Sequence, residues 1–439
     1  VDDLLFPLHD ACKPRAAFRV GTEAEKIGID TRSFQAVPFE GERGVATVLD
    51  LLAKRFGWEP NRESADGPLI ALTRGAASIT LEPGAQLELS GAPLRTVHET
   101  AAEFQNHIEE VRSICDPLDI AWLGLGFHPL ARLDQLPWVP KSRYPVMRGY
   151  LPTRGARAHD MMQRTCTVQA NLDFSSEEDA CRKLRVSLAL QPVVTAMFAN
   201  SPWVEGRRGA HLSERASVWL DMDPDRSGLL PFAWSEDFSF LRYVEWALDV
   251  PMFVVKRDGR VLPNTRQTFR QFMRDGLEGL SATLGDWETH LNTLFPEARL
   301  KRIIEVRGAD SQTGELVCAL PALWKGLLYD DAALMRAEAL VAPLRHDAVS
   351  AARPEIARLG LQAPLQGRPV GEWAKEVVGV ATAGLQRIGD LNGQAQDESV
   401  HLQPLAKLVS DGRTPAEAML ERIDAASSLP EALLAHARA

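Results

Sequence analysis

From Leu94 to Cys115 apolar residues recur at spacings of three and four, with Leu94, Val97, Ala101, Phe104, Ile108, Val111 and Ile114 on one stripe. That pattern predicts an amphipathic helix, and Pro93 stands just ahead of it, where a helix start tolerates proline. A second helix is predicted over Glu177 to Phe198: Ser176 can cap it, and Glu177, Glu178 and Asp179 suit the positive end of the helix dipole. Pro192 should kink or end that helix. Elsewhere the period drops to two, in Phe18 to Ile29, Ser78 to Leu89, Ala121 to Phe127, Thr165 to Phe174 and Arg302 to Arg307, each read as a strand. The strands are separated by helices and loops of uneven length, not by a regular strand–helix repeat, so the expected class is α+β with a mixed or antiparallel sheet. Beyond about Asp330 the alternation stops and Ala, Leu, Arg and Glu dominate, which predicts a helical C-terminal part with a Pro/Gly-bearing connector over Ala352 to Pro369. Thr414-Pro415-Ala416-Glu417 predicts a helix start with a capping box. No repeat and no clear boundary divides the chain, so 1–439 is expected to be a single domain, with a sheet-based core over 1–330 and a helical extension over 331–439 packed on it.

Composition narrows the function classes. With 439 residues, 45% hydrophobic and 25% charged, the chain can bury a large core. A net charge of -10 without any Lys/Arg block argues against a nucleic-acid partner. No apolar run reaches the length of a membrane span, and the N-terminal stretch lacks the pattern of a signal peptide, so a cytoplasmic location is expected. The 5 cysteines are spread out with no C-x-x-C pair, which indicates neither a zinc site nor a disulfide framework.

The candidate chemistry lies on the polar faces of the predicted strands. Alternation projects Glu23 and Glu25 from one face of their strand, a compact anionic pair able to hold a hard cation, although a solvated strand face is the commoner home of two glutamates. In Arg302 to Arg307, Glu305 and Arg307 share a face with Ile303, as in a structural ion pair or a reactive floor. Pro83-Gly84 breaks the Ser78 to Ser90 segment, leaving Glu82 before the turn and Gln86, Glu88 and Ser90 on one face after it. Thr165, Thr167, Gln169, Asn171 and Asp173 oppose the apolar Cys166, Val168, Ala170, Leu172 and Phe174. If these strands share a sheet, their polar faces form one floor. Mg²⁺ is commonly held by one or two protein carboxylates with waters and phosphate oxygens, so this many glutamates would suit about two or three ions bridging a nucleotide. No G-x-x-x-x-G-K-[ST] loop is present, so such a nucleotide site is not of P-loop type. The 10 histidines form no H-E-x-x-H-like cluster of a metallohydrolase.

Gly21-Thr22-Glu23-Ala24-Glu25-Lys26, Leu81-Glu82-Pro83-Gly84-Ala85-Gln86-Leu87-Glu88-Leu89-Ser90-Gly91-Ala92-Pro93 and Arg164-Thr165-Cys166-Thr167-Val168-Gln169-Ala170-Asn171-Leu172-Asp173-Phe174 resemble the glutamate–cysteine ligases of the plant and proteobacterial type. The likeness continues through Lys141-Ser142-Arg143-Tyr144, Ala247-Leu248-Asp249-Val250-Pro251-Met252, Arg307-Gly308-Ala309-Asp310 and Cys318-Ala319-Leu320-Pro321, and thins after about Ala333. It implies a glutamine-synthetase-like antiparallel sheet curved into a half-open barrel and flanked by helices, in a single catalytic domain. It further implies that Glu23, Glu25, Glu82, Glu88 and Glu305 are metal carboxylates for two or three Mg²⁺ ions, with Glu305 and Arg307 catalytic. Arg143, Arg215, Gln169, Asn171 and Met162 then correspond to substrate-binding positions. The implied partners are ATP, glutamate and cysteine, without nucleic acid or membrane, in a monomer or weak homodimer. The implied reaction is ATP-dependent formation of γ-glutamylcysteine. A related ligase using another amine or acid, or a degenerate non-catalytic subunit, stays open at this point. The plant enzymes' redox-switch disulfide joins positions that are Ala101 and Cys318 here, so the resemblance implies no such switch, and the plant transit peptide has no counterpart, in keeping with the cytoplasmic expectation.

Overall fold

The computed structural model describes residues 2–439 except 65, 258, 424, 425 and 427. Its centre is a 9-stranded sheet. The strands are β1 (Val20–Asp30), β2 (Glu59–Arg62), β3 (Leu69–Arg74), β4 (Ala77–Leu81), β5 (Leu87–Ser90), β6 (Ile120–Leu123), β7 (Thr167–Leu172), β8 (Ala298–Leu300) and β9 (Ile304–Asp310). They run in the order β8-β9-β7-β1-β5-β4-β3-β2, with β6 on the far half of β1. Every pairing is antiparallel. The end strands β8 and β2 do not pair with each other, so the sheet is open, in line with the half-open barrel expected.

β1 organises the sheet because it is long enough to serve three partners. Its first half pairs with β7, Glu23 facing Gln169; Glu23 to Lys26 pairs with β5, Glu25 facing Glu88; and Ile27 to Asp30 pairs with β6. β9 extends the other side, with Glu305 opposite Asn171 on β7 and opposite Arg299 on β8. This register sets Glu23, Glu25, Glu88, Gln169 and Glu305 on one side, since side chains alternate and paired residues share a face.

The opposite face is mainly apolar, with Thr22 and Lys26 as buried polar members on β1. Val20, Ala24, Leu87, Leu89, Val168, Ala170, Leu172, Ile304 and Val306 are buried there in a cluster that takes in the helices α1 (Val97–Cys115), α2 (Glu177–Met197), α3 (Leu316–Leu328) and α4 (Val370–Ile388). A smaller cluster joins Ile27, Ile29, Leu123 and Leu125 to Leu420, Ile423 and Leu433 near the C-terminus. Among the described residues no helix is long and apolar enough to cross a membrane.

Several expectations need correction. α2 neither ends nor breaks at Pro192 but runs to Met197. From Leu184 its side chains are buried nearly all round, and packing of this extent holds a helix through a missing donor. α1 starts at Val97, not Leu94, because Thr96 and Glu99 form a reciprocal capping box. Strand pairing ends at Leu123, short of Phe127, which makes only an isolated bridge to Thr165. The connector expected over 352–369 is partly the end of a helix, His346–Leu359, followed by a two-residue hairpin at Pro364–Leu365 and Arg368–Pro369 in a region expected to lack strands. The start read at Thr414 is correct: its side chain accepts from Glu417 N–H, and the Glu417 carboxylate accepts from Thr414 N–H.

Candidate active site

A cavity of about 290 Å³ lies over the polar face. Glu23, Glu25, Glu82, Glu88, Glu305 and Arg307 line it, as do Arg143, Met162, Gln169 and Arg215. Asn171 is placed otherwise: it stands behind Glu23, donating its Nδ2 to Glu23 Oε1 at 2.7 Å, and so braces a carboxylate from the next strand.

The acidic side divides into groups held by different means. Glu25 is buried on β1, and its Oε2 accepts from Thr167 N–H at 2.8 Å. Glu88 accepts from Thr80 Oγ1 at 2.9 Å and from Ser90 Oγ at 2.6 Å. Glu82 hangs from a tight turn closed by Glu82 N–H to Gln86 O and Ala85 N–H to Glu82 O. That turn needs both Ala85 at φ 65° and Gly84 pressed on the helix before β7, where an added Cβ would lie 2.4 Å from Gln163 O. The result brings one carboxylate oxygen from each of Glu25, Glu82 and Glu88 within 4.8 Å of one another. Like charges this close favour protons or a cation. Burial, then Glu82 and Glu88, push the Glu25 carboxyl well above its usual range; burial, then Glu305 and Glu88, raise Glu23 to about 8.

Glu305 is held in the opposite state. Burial would raise its carboxyl, but Arg299, Lys301 and Arg307 outweigh it and keep it far below the usual range. Arg299 Nε donates to Glu305 Oε2 at 2.6 Å, and its Nη1 donates to Asn292 O and Leu294 O, fixing the guanidinium from three sides. Arg307 stands 3.3 Å from the same Oε2 and donates to Gln169 Oε1 at 2.9 Å. The floor therefore grades from an anionic end, at Glu25, Glu82 and Glu88, to a cationic end at Arg299, Lys301 and Arg307. Hard divalent cations suit the first end by its oxygen donors and phosphate oxygens suit the second.

The cationic end continues upward. Arg215 lies on the short helix Glu214–Trp219 and donates to Arg307 O at 2.8 Å. That helix is anchored by Ser213, whose hydroxyl donates to Asp310 Oδ1 at 2.7 Å while its oxygen accepts from Ala216 N–H. Arg143 is exposed, its guanidinium 5.3 Å from the Tyr144 ring centre. Trp219, Phe253 and Phe295 add an aromatic wall. Sequence reasoning missed Arg299 and Lys301, which precede β9 in Ala298-Arg299-Leu300-Lys301; the basic pair was visible, but only the β8–β9 hairpin turns it toward Glu305.

The model of glutamate–cysteine ligase family 2 matches residues 19–434 of the chain. The chain belongs to glutamate–cysteine ligase family 2. Within this family it is 43% identical over 422 residues to glutamate–cysteine ligase B, chloroplastic, of Oryza sativa subsp. japonica, covering 95% of this chain and 83% of that protein. It is 43% identical over 423 residues to the chloroplastic glutamate–cysteine ligase of Brassica juncea, covering 96% and 80%. In fold it is similar to the glutamate–cysteine ligase of Francisella tularensis, solved in complex with AMP: TM-score 0.61 at 13% identity, covering 96% of this chain and 87% of that one. The plant family members are chloroplastic, which overturns the cytoplasmic location expected from the sequence.

Proposed function

We propose that the protein catalyses ATP- and Mg²⁺-dependent ligation of the glutamate γ-carboxylate to the amine of cysteine. The reading rests on family membership together with one observation, the cavity floor that grades from clustered carboxylates to clustered guanidinium groups. A carboxylate is a poor electrophile, so the substrate carboxylate first attacks the γ-phosphorus of ATP, and ADP leaves. The cysteine amine then attacks the acyl carbon of the γ-glutamyl phosphate, inorganic phosphate leaves, and the nitrogen loses a proton. Glu23, Glu25, Glu82, Glu88 and Glu305 would hold Mg²⁺, two or three ions in all; the close approach of Glu25, Glu82 and Glu88 and the burial-raised carboxyls of Glu23 and Glu25 are the chemistry of a site built for cations. Bound Mg²⁺ supplies neutralisation of the triphosphate charge.

Arg307, held by Gln169 and Glu305, meets charge on the transferring phosphoryl group. Arg143 and Arg215 orient the carboxylates of glutamate by paired hydrogen bonds, and Met162 with the aromatic wall limits water at the acyl phosphate. Asn171 keeps Glu23 aimed at the cavity. The deciding experiment is phosphate release with glutamate and a panel of amines: cysteine, 2-aminobutyrate and none. Release that needs glutamate and is fastest with cysteine is expected. Release with glutamate but a different preferred amine would reassign the acceptor, and none with any amine would remove the ligase reading.

A further inference from the structure

The strand that carries Glu23 and Glu25 presents Ala24 and Lys26 to its other side, where a second cavity of about 570 Å³ opens between α1, α3 and the segment from Asn392 to Pro404. Its volume is in the range of small-molecule pockets. Lys26 forms part of the lining and is only 2% exposed, yet among the described residues its Nζ donates to a single acceptor, Ala24 O at 2.9 Å. Among the described residues no carboxylate pairs with it, whereas the buried Lys183 pairs with Asp179 and the buried Lys325 with Glu398. Glu25 and Glu88 act on it only through space, with no ion pair formed, and two of its three N–H donors have no partner among the described residues, a costly state for a buried ammonium group.

The polar groups around it are unspent as well. Gln312 lines the same cavity, 2% exposed; its Nε2 donates to Phe198 O and Asp310 O, while its Oε1 has no partner among the described residues. His107 lies buried near Lys26 with neither ring nitrogen bonded among the described residues. The other cations of the lining are committed: Arg112 donates to Ala439 O and Arg438 pairs with Asp116. Phe104, Ile108, Val317 and Val400 give the rest of the wall an apolar character. We propose that this cavity is a second ligand site, distinct from the ligase floor, for a small carboxylate compound with an apolar body and an amide N–H. The carboxylate answers Lys26, the N–H answers Gln312 Oε1, and the body lies on Phe104 and Ile108.

The test uses the full chain and N-acetyl-L-leucine, with N-acetyl-L-leucinamide as its uncharged twin, followed by ligand-observed NMR and calorimetry. Saturable binding of the acid is expected, about tenfold or more weaker for the amide and in Lys26→Met, the scale of a charge-assisted hydrogen bond. Ile108→Trp fills the cavity from a partly exposed position outside the ligase site; it should abolish binding and leave the phosphate-release rate near that of the parent. Saturating glutamate with Mg·ATP should not displace the probe. Absence of saturable binding, equal affinity for acid and amide, binding unchanged in Ile108→Trp, or displacement by glutamate would each overturn the proposal. Should Lys26→Met fail to fold, the acid–amide pair and Ile108→Trp decide it.

Discussion

Glu88 and Glu305 face the same cavity but are anchored differently, and substitution should separate their roles. Glu88 accepts one hydroxyl on each oxygen, Ser90 on Oε1 and Thr80 on Oε2. In Glu88→Gln one hydroxyl can donate to the amide oxygen while the other turns to accept from the amide N–H, so the variant should keep its melting temperature and lose turnover by about two orders of magnitude or more through loss of a metal carboxylate. Glu305→Gln should lose turnover to a similar degree and also lose stability, by about 3 kcal/mol, because it leaves the buried Arg299 without its counter-charge. Kinetics beside thermal melts of both variants check this, and near-normal rates in both would remove the floor as the reactive site. Glu23, Glu25, Glu88, Glu305 and Arg307 were legible as a set because a period of two fixes which side chains share a face. Arg299 was not, because its role depends on which strand pairs with β9. Other residues set the acid limit of the fold. His128 and His290 are buried and neutral, each brought to about 3 by burial; His128 Nδ1 accepts from Ala131 N–H, and His290 Nε2 meets Ala247 O. Since the folded values lie below the unfolded value near 6.5, their contribution is complete above that value and is lost as pH falls toward 3, at about 1.4 kcal/mol per pH unit for each. Denaturant melts at pH 7, 6 and 5 should show falling stability over that window, and His290→Phe should flatten the dependence.

At the scale of elements, the strands that build the floor announce themselves, while those that complete the sheet do not. β1, β5, β7 and β9 alternate over enough residues to be read, with one face buried against helices and the other polar. β2 is Glu-Pro-Asn-Arg, exposed throughout, and β8 is three residues long; both exist because a neighbour offers an unpaired edge, which no local pattern encodes. The turn between β4 and β5 carries more consequence than its length suggests. It places Glu82 against Glu25 and Glu88, and it does so only while Gly84 can touch the backbone of Gln163. Gly84→Ala should therefore displace Glu82 without unfolding the sheet: an unaltered far-UV spectrum, a melting temperature lower by a few degrees, and an apparent Mg²⁺ requirement raised about tenfold. An unchanged Mg²⁺ titration would mean that Glu82 does not take part in the metal site.

Across the whole molecule, the helical extension expected over 331–439 is bound into the same apolar cluster as the sheet. α3 packs under β1 and β7, and from Cys318 to Leu328 every one of its residues is buried. Much of that cover comes from α4, and the two helices approach so closely that a Cβ on Gly326 would meet Ala381 O at 2.3 Å. Farther along, Leu420, Ile423 and Leu433 close the end of the sheet formed by β1 and β6. A chain ending at residue 330 would expose an apolar helix on the back of the very strands that hold Glu23, Glu25 and Gln169. We propose on this ground that 1–439 is one cooperative unit and not a catalytic core with a dispensable appendage. Urea unfolding should give one transition, with coincident midpoints from far-UV circular dichroism and from tryptophan fluorescence, to which Trp324 in α3 and Trp373 in α4 contribute among the 10 tryptophans of the chain. The 1–330 fragment should be insoluble or unfolded. A soluble fragment that still releases phosphate in the presence of glutamate, or two separated transitions in the full chain, would show that the extension folds apart from the sheet it covers.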